Sequence, residues 1–585
     1  MLSAPAIPPP TASVTRSVVT MWYGFRAALF FVILLGQIVD AGGIKSYATP
    51  SPSPSPSPCC NVKISPDQIP PIQSAMPVFQ LCDQVDIPHD YLSGIIQNVA
   101  PDADLTAFGS QGNFAAYDKD RLVAFVRSDT GESRVFPSLE CLQPGTDLIA
   151  KAQTAGQDFL GDTSLFPPDD TTLVVLPPTT LSGSNSTCAG NATAPEEFLG
   201  FVSLQRQIDG IPVEGPGTQA MIAVDSEGCI KVLAHRYHPA TRTEQTIQPK
   251  CPDEIVQAII ADLADTCSRV DVEITNVVVS YWDSGNNFIQ PIYSYQGAIQ
   301  GDNTTSHGHV TGGVSIGTAV ESIEPAPAQN YPSNAPPGFY KRDNFRFHRR
   351  AEVDPTVGRY VVRADSLDWL SSATEFYSNL QLATSFGSSL TFTDKQYLAA
   401  DPSMFITQKN DYINSVQIAL NEVHGTWWEF TTYKNYGDIV TLAEIAEAGG
   451  LGSNAGGCLA YWILHSCEVI PTQTDEAISF DIWWQIFHGL HSVVGYRTDM
   501  YIDDQVTTNF GLWVGLGAGV VSAWIVEVAA SNAYGTDTYL DANRGITEPY
   551  GRPSAVGVCG HLDDTANDLQ GLGDPKCLFE LWLDN

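Results

Sequence analysis

Two short stretches hold residue types that could do chemistry together. Val423-His424-Gly425-Thr426 leaves one apolar run, and Ile463-Leu464-His465-Ser466-Cys467-Glu468 leaves another. A thiol attacks a carbonyl carbon as the thiolate, and a neighbouring imidazole supports that state and carries the proton. The two positions are 467 - 424 = 43 residues apart, room for one strand–helix crossover. If both runs are adjacent parallel strands, His424 and Cys467 emerge side by side at their carboxyl ends, where groups gather in open α/β sheets. Cys467 would then be the nucleophile and His424 the acid/base. Backbone amides near Gly425 and Cys467 would hold the oxyanion. Arg497 and Asp499, just past the next strand candidate, would shape a substrate pocket.

Other signals are weaker. His488 and His491 share a helical face or turn, but no third metal ligand with recognisable spacing follows, so no metal is expected. Gly313-Val-Ser-Ile-Gly317 matches a nucleophile elbow, yet Pro325 and Pro327 follow too soon for the helix an elbow needs. Asp499, Asp503 and Asp504 fit no known calcium loop. There is no phosphate loop, dinucleotide fingerprint or HExxH motif, so no cofactor is expected.

The elements that would position the dyad alternate. Strands are expected at Val416–Val423, Leu459–Ser466 and Ser492–Tyr496, with helices over Gly437–Glu447, Glu476–Phe487 and Leu512–Val528. That alternation implies an α/β domain, a mainly parallel sheet flanked by helices, over residues 351–585. Residues 59–324 read differently, as strand-rich α+β. A strand at Phe198–Ile208 and a hairpin of Thr218–Val224 with Cys229–His235 precede an amphipathic helix, Pro252–Asp265. Val277–Trp282 then pairs with Phe288–Tyr295.

Two resemblances follow from these residues. His424-Gly425 and then Ser466-Cys467 resemble the caspase–legumain–gingipain cysteine peptidases, in which such a His and Cys form the catalytic dyad. With Trp483-Trp484, Gly489-Leu490-His491 and Gly495-Tyr496-Arg497-Thr498, the pattern is closer to an uncharacterised secreted family with a caspase-like domain. The departure is Ser466 before and Glu468 after the cysteine, where those peptidases carry Ala or a second Gly. Val202 to Gly217 with Ala220 to Gly228, and Gln290-Pro-Ile-Tyr-Ser-Tyr295, resemble the FTP and PepSY propeptide modules of secreted peptidases. Together they imply a thiol-dependent peptidase made as a zymogen, with a peptide or protein substrate and a contact between the two halves. The alternative is a non-enzymatic extracellular binding protein on a degenerate caspase-like scaffold.

Composition fits an exported chain. Arg16 and Arg26 precede the apolar run Ala27–Val39, and Val39-Asp40-Ala41 offers a cleavage site, so residues 1–41 read as a signal peptide. A retained signal anchor facing the lumen or cell surface is the alternative; after cleavage no membrane span is expected. Residues 42–58 are a Ser/Pro spacer, and 325–350 a Pro-rich linker with dibasic processing pairs Lys341-Arg342 and Arg349-Arg350. Asn185, Asn191 and Asn303 head glycosylation sequons. The net charge of -36 in 585 residues argues against nucleic acid as a partner. Twelve cysteines suggest disulfides. Cys559 with Cys577, Cys251 with Cys267 and Cys188 with Cys229 are local candidates, and Cys59, Cys60, Cys82 and Cys141 could form two more. Cys458 and Cys467 would stay reduced.

Overall fold

The computed structural model describes residues 61–584, except 110–111, 129, 188–191, 267–270, 301–307, 323–353, 363–366, 389, 433–437, 477–478, 502–505, 532–537 and 542–543. The expected signal peptide and spacer, Asn191, Asn303 and the dibasic pairs lie outside the described residues.

The site rests on strands β1 (Thr356–Val361), β2 (Thr393–Tyr397), β3 (Ile418–Glu422), β4 (Tyr461–His465) and β5 (Ser492–Tyr496). All pair in parallel, in the order β2-β1-β3-β4-β5. Every residue of β3, β4 and β5 is buried. That is why they read as near-continuous apolar runs rather than as alternating ones: helices cover both faces of a parallel sheet. Strands β6 (Pro553–Val558) and β7 (Cys577–Leu583) extend the sheet antiparallel.

The crossovers are helices α1 (Leu367–Phe386), α2 (Leu442–Glu447), α3 (Ser479–Ile486), α4 (Val506–Gly515) and α5 (Val520–Ala530). Helix α2 starts in a capping box: the Thr441 hydroxyl accepts from the Glu444 amide, and the Glu444 carboxylate accepts from the Thr441 amide. The single helix expected over Leu512–Val528 is two helices. Gly517 adopts φ +92, a conformation that favours glycine, and Gly519 caps α5. Among the described residues no helix is long and apolar enough to cross a membrane.

The expected strand-rich region is present: Glu196–Ile208, the hairpin Gln219–Val224 with Ile230–Arg236, helix Pro252–Thr266, and Asp271–Asp283 against Phe288–Gln300. It does not stand apart from the α/β region. Strand Thr179–Thr187 pairs with β7 over seven positions, from Cys577↔Thr187 to Leu583↔Leu181, and then with Glu196–Ile208. One sheet therefore runs across both regions, and the compact unit beginning at Ser57 includes both. The seam is also polar and aromatic. Buried Arg134 pairs with Glu527 of α5 at 2.7 Å, and Phe125 and Phe136 pack on Trp513 of α4. A propeptide resting on a finished domain would not supply strands to that domain's sheet.

Candidate active site

Strands β3 and β4 are parallel neighbours with Glu422 opposite His465. The chain leaving each strand therefore starts from the same edge. The strand order reverses direction between β1 and β3, and the carboxyl edge at such a reversal is where open α/β sheets form crevices. His424-Gly425 leaves β3 and Ser466-Cys467 leaves β4, and the two turns touch. A Cβ on Gly425 would lie 2.2 Å from the Ser466 hydroxyl oxygen and 2.7 Å from the Cys467 carbonyl oxygen. Only glycine allows that approach. His424 is buried, with its ring edge-on to Trp369 of α1 at 5.3 Å and its carbonyl accepting from the Thr431 amide.

Cys467 is a free thiol, 3% exposed. Its S–H donates to the Met500 carbonyl and its sulfur accepts from the Met500 amide, both at 3.4 Å. Burial pushes the thiol pKa well above its ordinary value, and the Asp499 and Glu468 carboxylates push it further. The expectation of an imidazole-poised thiolate thus meets an acidic surrounding. Glu468 follows Cys467 with φ +50, a strained backbone for a non-glycine residue. Burial, with Asp499 beside it, raises the Glu468 carboxyl to about 8, and the Tyr539 hydroxyl donates to it at 2.8 Å.

The two pocket candidates separate. Asp499 joins the cluster at Cys467: its amide donates to the Tyr539 hydroxyl, and its carbonyl accepts from Gly551. Arg497 is committed elsewhere. It is 3% exposed and pairs with buried Asp475 at 2.5 Å, in a network that includes Arg544, Asp541 and Glu548. A guanidinium so engaged braces the fold under the site rather than meeting a ligand. A cavity of about 540 Å³ is lined by Tyr550, Gly551 and Arg552 with Glu214 and Ser294; neither His424 nor Cys467 lines it.

Sequence reasoning missed the pair at the ends of β3 and β4. His465 Nδ1 lies 2.6 Å from Glu422 Oε2, both residues fully buried, and Ser372 of α1 donates to the other Glu422 oxygen at 2.7 Å. Tyr496 and Trp524 pack around the His465 ring. The available signal was an ionisable residue ending each of two buried strands.

Of the expected disulfides, Cys559–Cys577 forms. Cys188, Cys267, Cys59 and Cys60 lie outside the described residues, while Cys82, Cys141, Cys229, Cys251 and Cys458 are free thiols. Asn185 is half-buried in the strand that pairs with β7.

A family model described as a domain of unknown function, DUF6345, matches residues 356–547. It takes in β1 through α5 and leaves residues 59–324 outside. No curated protein matches the chain. Among solved structures, the chain is similar to an uncharacterized protein from Eubacterium rectale, at 11% identity and TM-score 0.24, covering 42% of this chain and 84% of that one. It is also similar to a secreted C11 cysteine protease from Bacteroides thetaiotaomicron, iotapain, at 13% identity and TM-score 0.25, covering 36% and 68%. A third similarity is to a secreted C11 cysteine protease from the same organism in complex with an irreversible peptide inhibitor, at 11% identity and TM-score 0.21, covering 35% and 66%. The chain is a mixed, sheet-dominated α/β protein with weak structural similarity to C11 cysteine proteases.

Proposed function

We propose that the chain is an exported thiol-dependent peptidase, with Cys467 the nucleophile and His424 the acid/base. One observation carries the reading: the His424-Gly425 turn and the Ser466-Cys467 turn press together at the carboxyl edge of β3 and β4, at a distance only a glycine permits. Attack by the Cys467 sulfur on a peptide carbonyl would form the acyl-enzyme, and His424 would give the proton to the leaving amine. Amides at Gly425 and Cys467 are the proposed oxyanion donors. The acidic wall of Glu468 and Asp499 favours substrates bearing a positive charge beside the scissile bond. A bound cation would also offset the carboxylates that hold the thiol protonated.

A cut in the 325–350 linker is part of the reading. Because β7 and strand Thr179–Thr187 share a sheet, cutting at Lys341-Arg342 or Arg349-Arg350 would yield two chains that stay together. Activation would then act through the loosened linker, not through loss of a propeptide.

The buried, hydrogen-bonded thiol favours a second reading, an extracellular binding protein on an inactive scaffold. Labelling with a lysyl acyloxymethyl ketone separates the two. The peptidase reading expects stoichiometric modification of Cys467 in the native full chain, lost in Cys467→Ala and reduced at least roughly tenfold in His424→Ala. No labelling of native protein, before or after linker cleavage, would leave the binding-protein reading.

A further inference from the structure

The opposite edge of the parallel strands holds a second histidine cluster, outside the proposed catalytic machinery. His491 enters β5, and His561 and Asp564 lie in the loop closed by the Cys559–Cys577 disulfide. Their donor atoms all lie within 4.8 Å of one another. His491 Nδ1 is 2.6 Å and His561 Nδ1 2.9 Å from the same oxygen, Asp564 Oδ2. We infer that His491, His561 and Asp564 bind a divalent transition-metal ion, zinc by the chemistry of the set, with water completing a tetrahedron.

Three features support the assignment. The first is the proton on His491. Its Nε2 faces the Gln570 carbonyl at 2.9 Å and must donate there. Nδ1 is then the atom that meets the Asp564 carboxylate, either as an imidazolium N–H or, in the neutral ring, through a cation held between them. An imidazole N–H fixed by a backbone carbonyl is also the usual outer support of a metal-bound histidine.

The second is rigidity. The His491 amide donates to Ala460 and its carbonyl accepts from Val558; the His561 amide donates to Val558, and the Asp564 carbonyl accepts from Val520. Donors on a tetrahedral zinc stand roughly 3.3–3.5 Å apart at bond lengths of about 2.0–2.2 Å. The 2.6 and 2.9 Å separations from Asp564 Oδ2 would each open by less than about 1 Å to reach that spacing.

The third is charge. Asp563 and Glu140 flank the cluster, and among the described residues neither is in an ion pair. Both carboxylates accept hydrogen bonds from backbone amides, Asp563 from Leu139 at 2.7 Å and Glu140 from Leu562 at 2.7 Å, which fixes acidic groups on either side of the loop. Two imidazoles and one carboxylate are a zinc-type donor set; calcium and magnesium would want oxygen throughout. His491 is 2% exposed, whereas His561 is at the surface, which leaves an entry path and room for the water.

The test is metal content of the untagged full chain after incubation with excess zinc sulfate and exhaustive dialysis. The expected result is about one zinc per chain, with retention lowered at least roughly tenfold in His561→Ala and in Asp564→Asn. His488→Ala and Cys467→Ser should keep wild-type zinc, which separates this site from the neighbouring histidine and from the thiol. If either ligand variant misfolds, cobalt titration of the wild type takes its place: tetrahedral ligand-field bands saturating at about one cobalt per chain are expected. Zinc-free wild type after loading, zinc unchanged in both ligand variants, or a featureless cobalt spectrum would each overturn the inference.

Discussion

The two ends of the same parallel strands each set a histidine near a cysteine, and they treat the pair in opposite ways. At the carboxyl edge the cysteine stays reduced, and carboxylates face it, so its thiolate is disfavoured. At the amino edge Cys559 is consumed in the Cys559–Cys577 disulfide while Cys458 ahead of β4 stays free, and the histidines have a carboxylate of their own. The first edge keeps an electrostatic cost that a substrate could relieve. The second sets two imidazoles on one carboxylate and would close around an ion. The two edges differ less in residue types, which they share, than in which of them the fold leaves poorly matched.

The broadest way to break the comparison is to remove what holds both edges. Expression of residues 351–585 alone strips β7 of strand Thr179–Thr187 and Glu527 of Arg134. The expected outcome is insoluble or unfolded protein, read by circular dichroism and gel filtration; a soluble, cooperatively melting fragment would show that the regions are separable.

Next is the support of the carboxyl edge. His465→Ala removes the partner 2.6 Å from buried Glu422 and should lower the unfolding free energy by about 3–5 kcal/mol, read from urea unfolding. His465→Gln should recover part of that loss.

At the amino edge, the double substitution Cys559→Ser, Cys577→Ser opens a loop of 18-residue separation. It should cost about 3 kcal/mol while leaving Cys467 labelling unchanged.

Two subtler effects sharpen the contrast. Glu468 and Glu580, both buried, have folded pKa values raised from 4.5 to about 8. Between those values the folded chain holds protons that the unfolded chain has released, so stability is present below about 4.5 and is lost as pH rises through 8. The melting temperature should therefore fall from pH 5 to pH 8, and fall less in Glu468→Gln and Glu580→Gln. The smallest effect is kinetic. Above pH 8, where the Glu468 carboxyl is ionised, Glu468→Gln should speed Cys467 alkylation by roughly three- to tenfold, the consequence of removing one nearby carboxylate. Asp564→Asn should leave that rate alone.

The carboxyl edge was legible because strand periodicity and the His-Gly and Ser-Cys endings are local. β4 sits inside one apolar run, β3 ends in Asn421-Glu422, and Ser492–Tyr496 is reproduced residue for residue. What was hidden is long-range. Nothing in residues 181–187 announces a partner near residue 580, and Arg497 finds Asp475 only in three dimensions. His491 could be singled out as a possible ligand, but its companions lie about 70 residues onward in a loop without a motif. The break between α4 and α5 had a readable sign, Gly515-Leu-Gly-Ala-Gly519, masked by its apolar company.

The position of β7 governs the order of events at synthesis. Strand Thr179–Thr187 has β7 on one side and Glu196–Ile208 on the other. Until β7 is made, one side of it offers unpaired backbone to any passing strand. Ser182 and its hydrogen-bond partner Asp584 are 402 residues apart. At roughly 5–20 residues per second, ribosomes need about 20–80 seconds to bridge that interval. Through that time the first half of the sheet is an open edge, so the chain depends on whatever shields nascent strands. The native sheet closes only when its seam strand arrives.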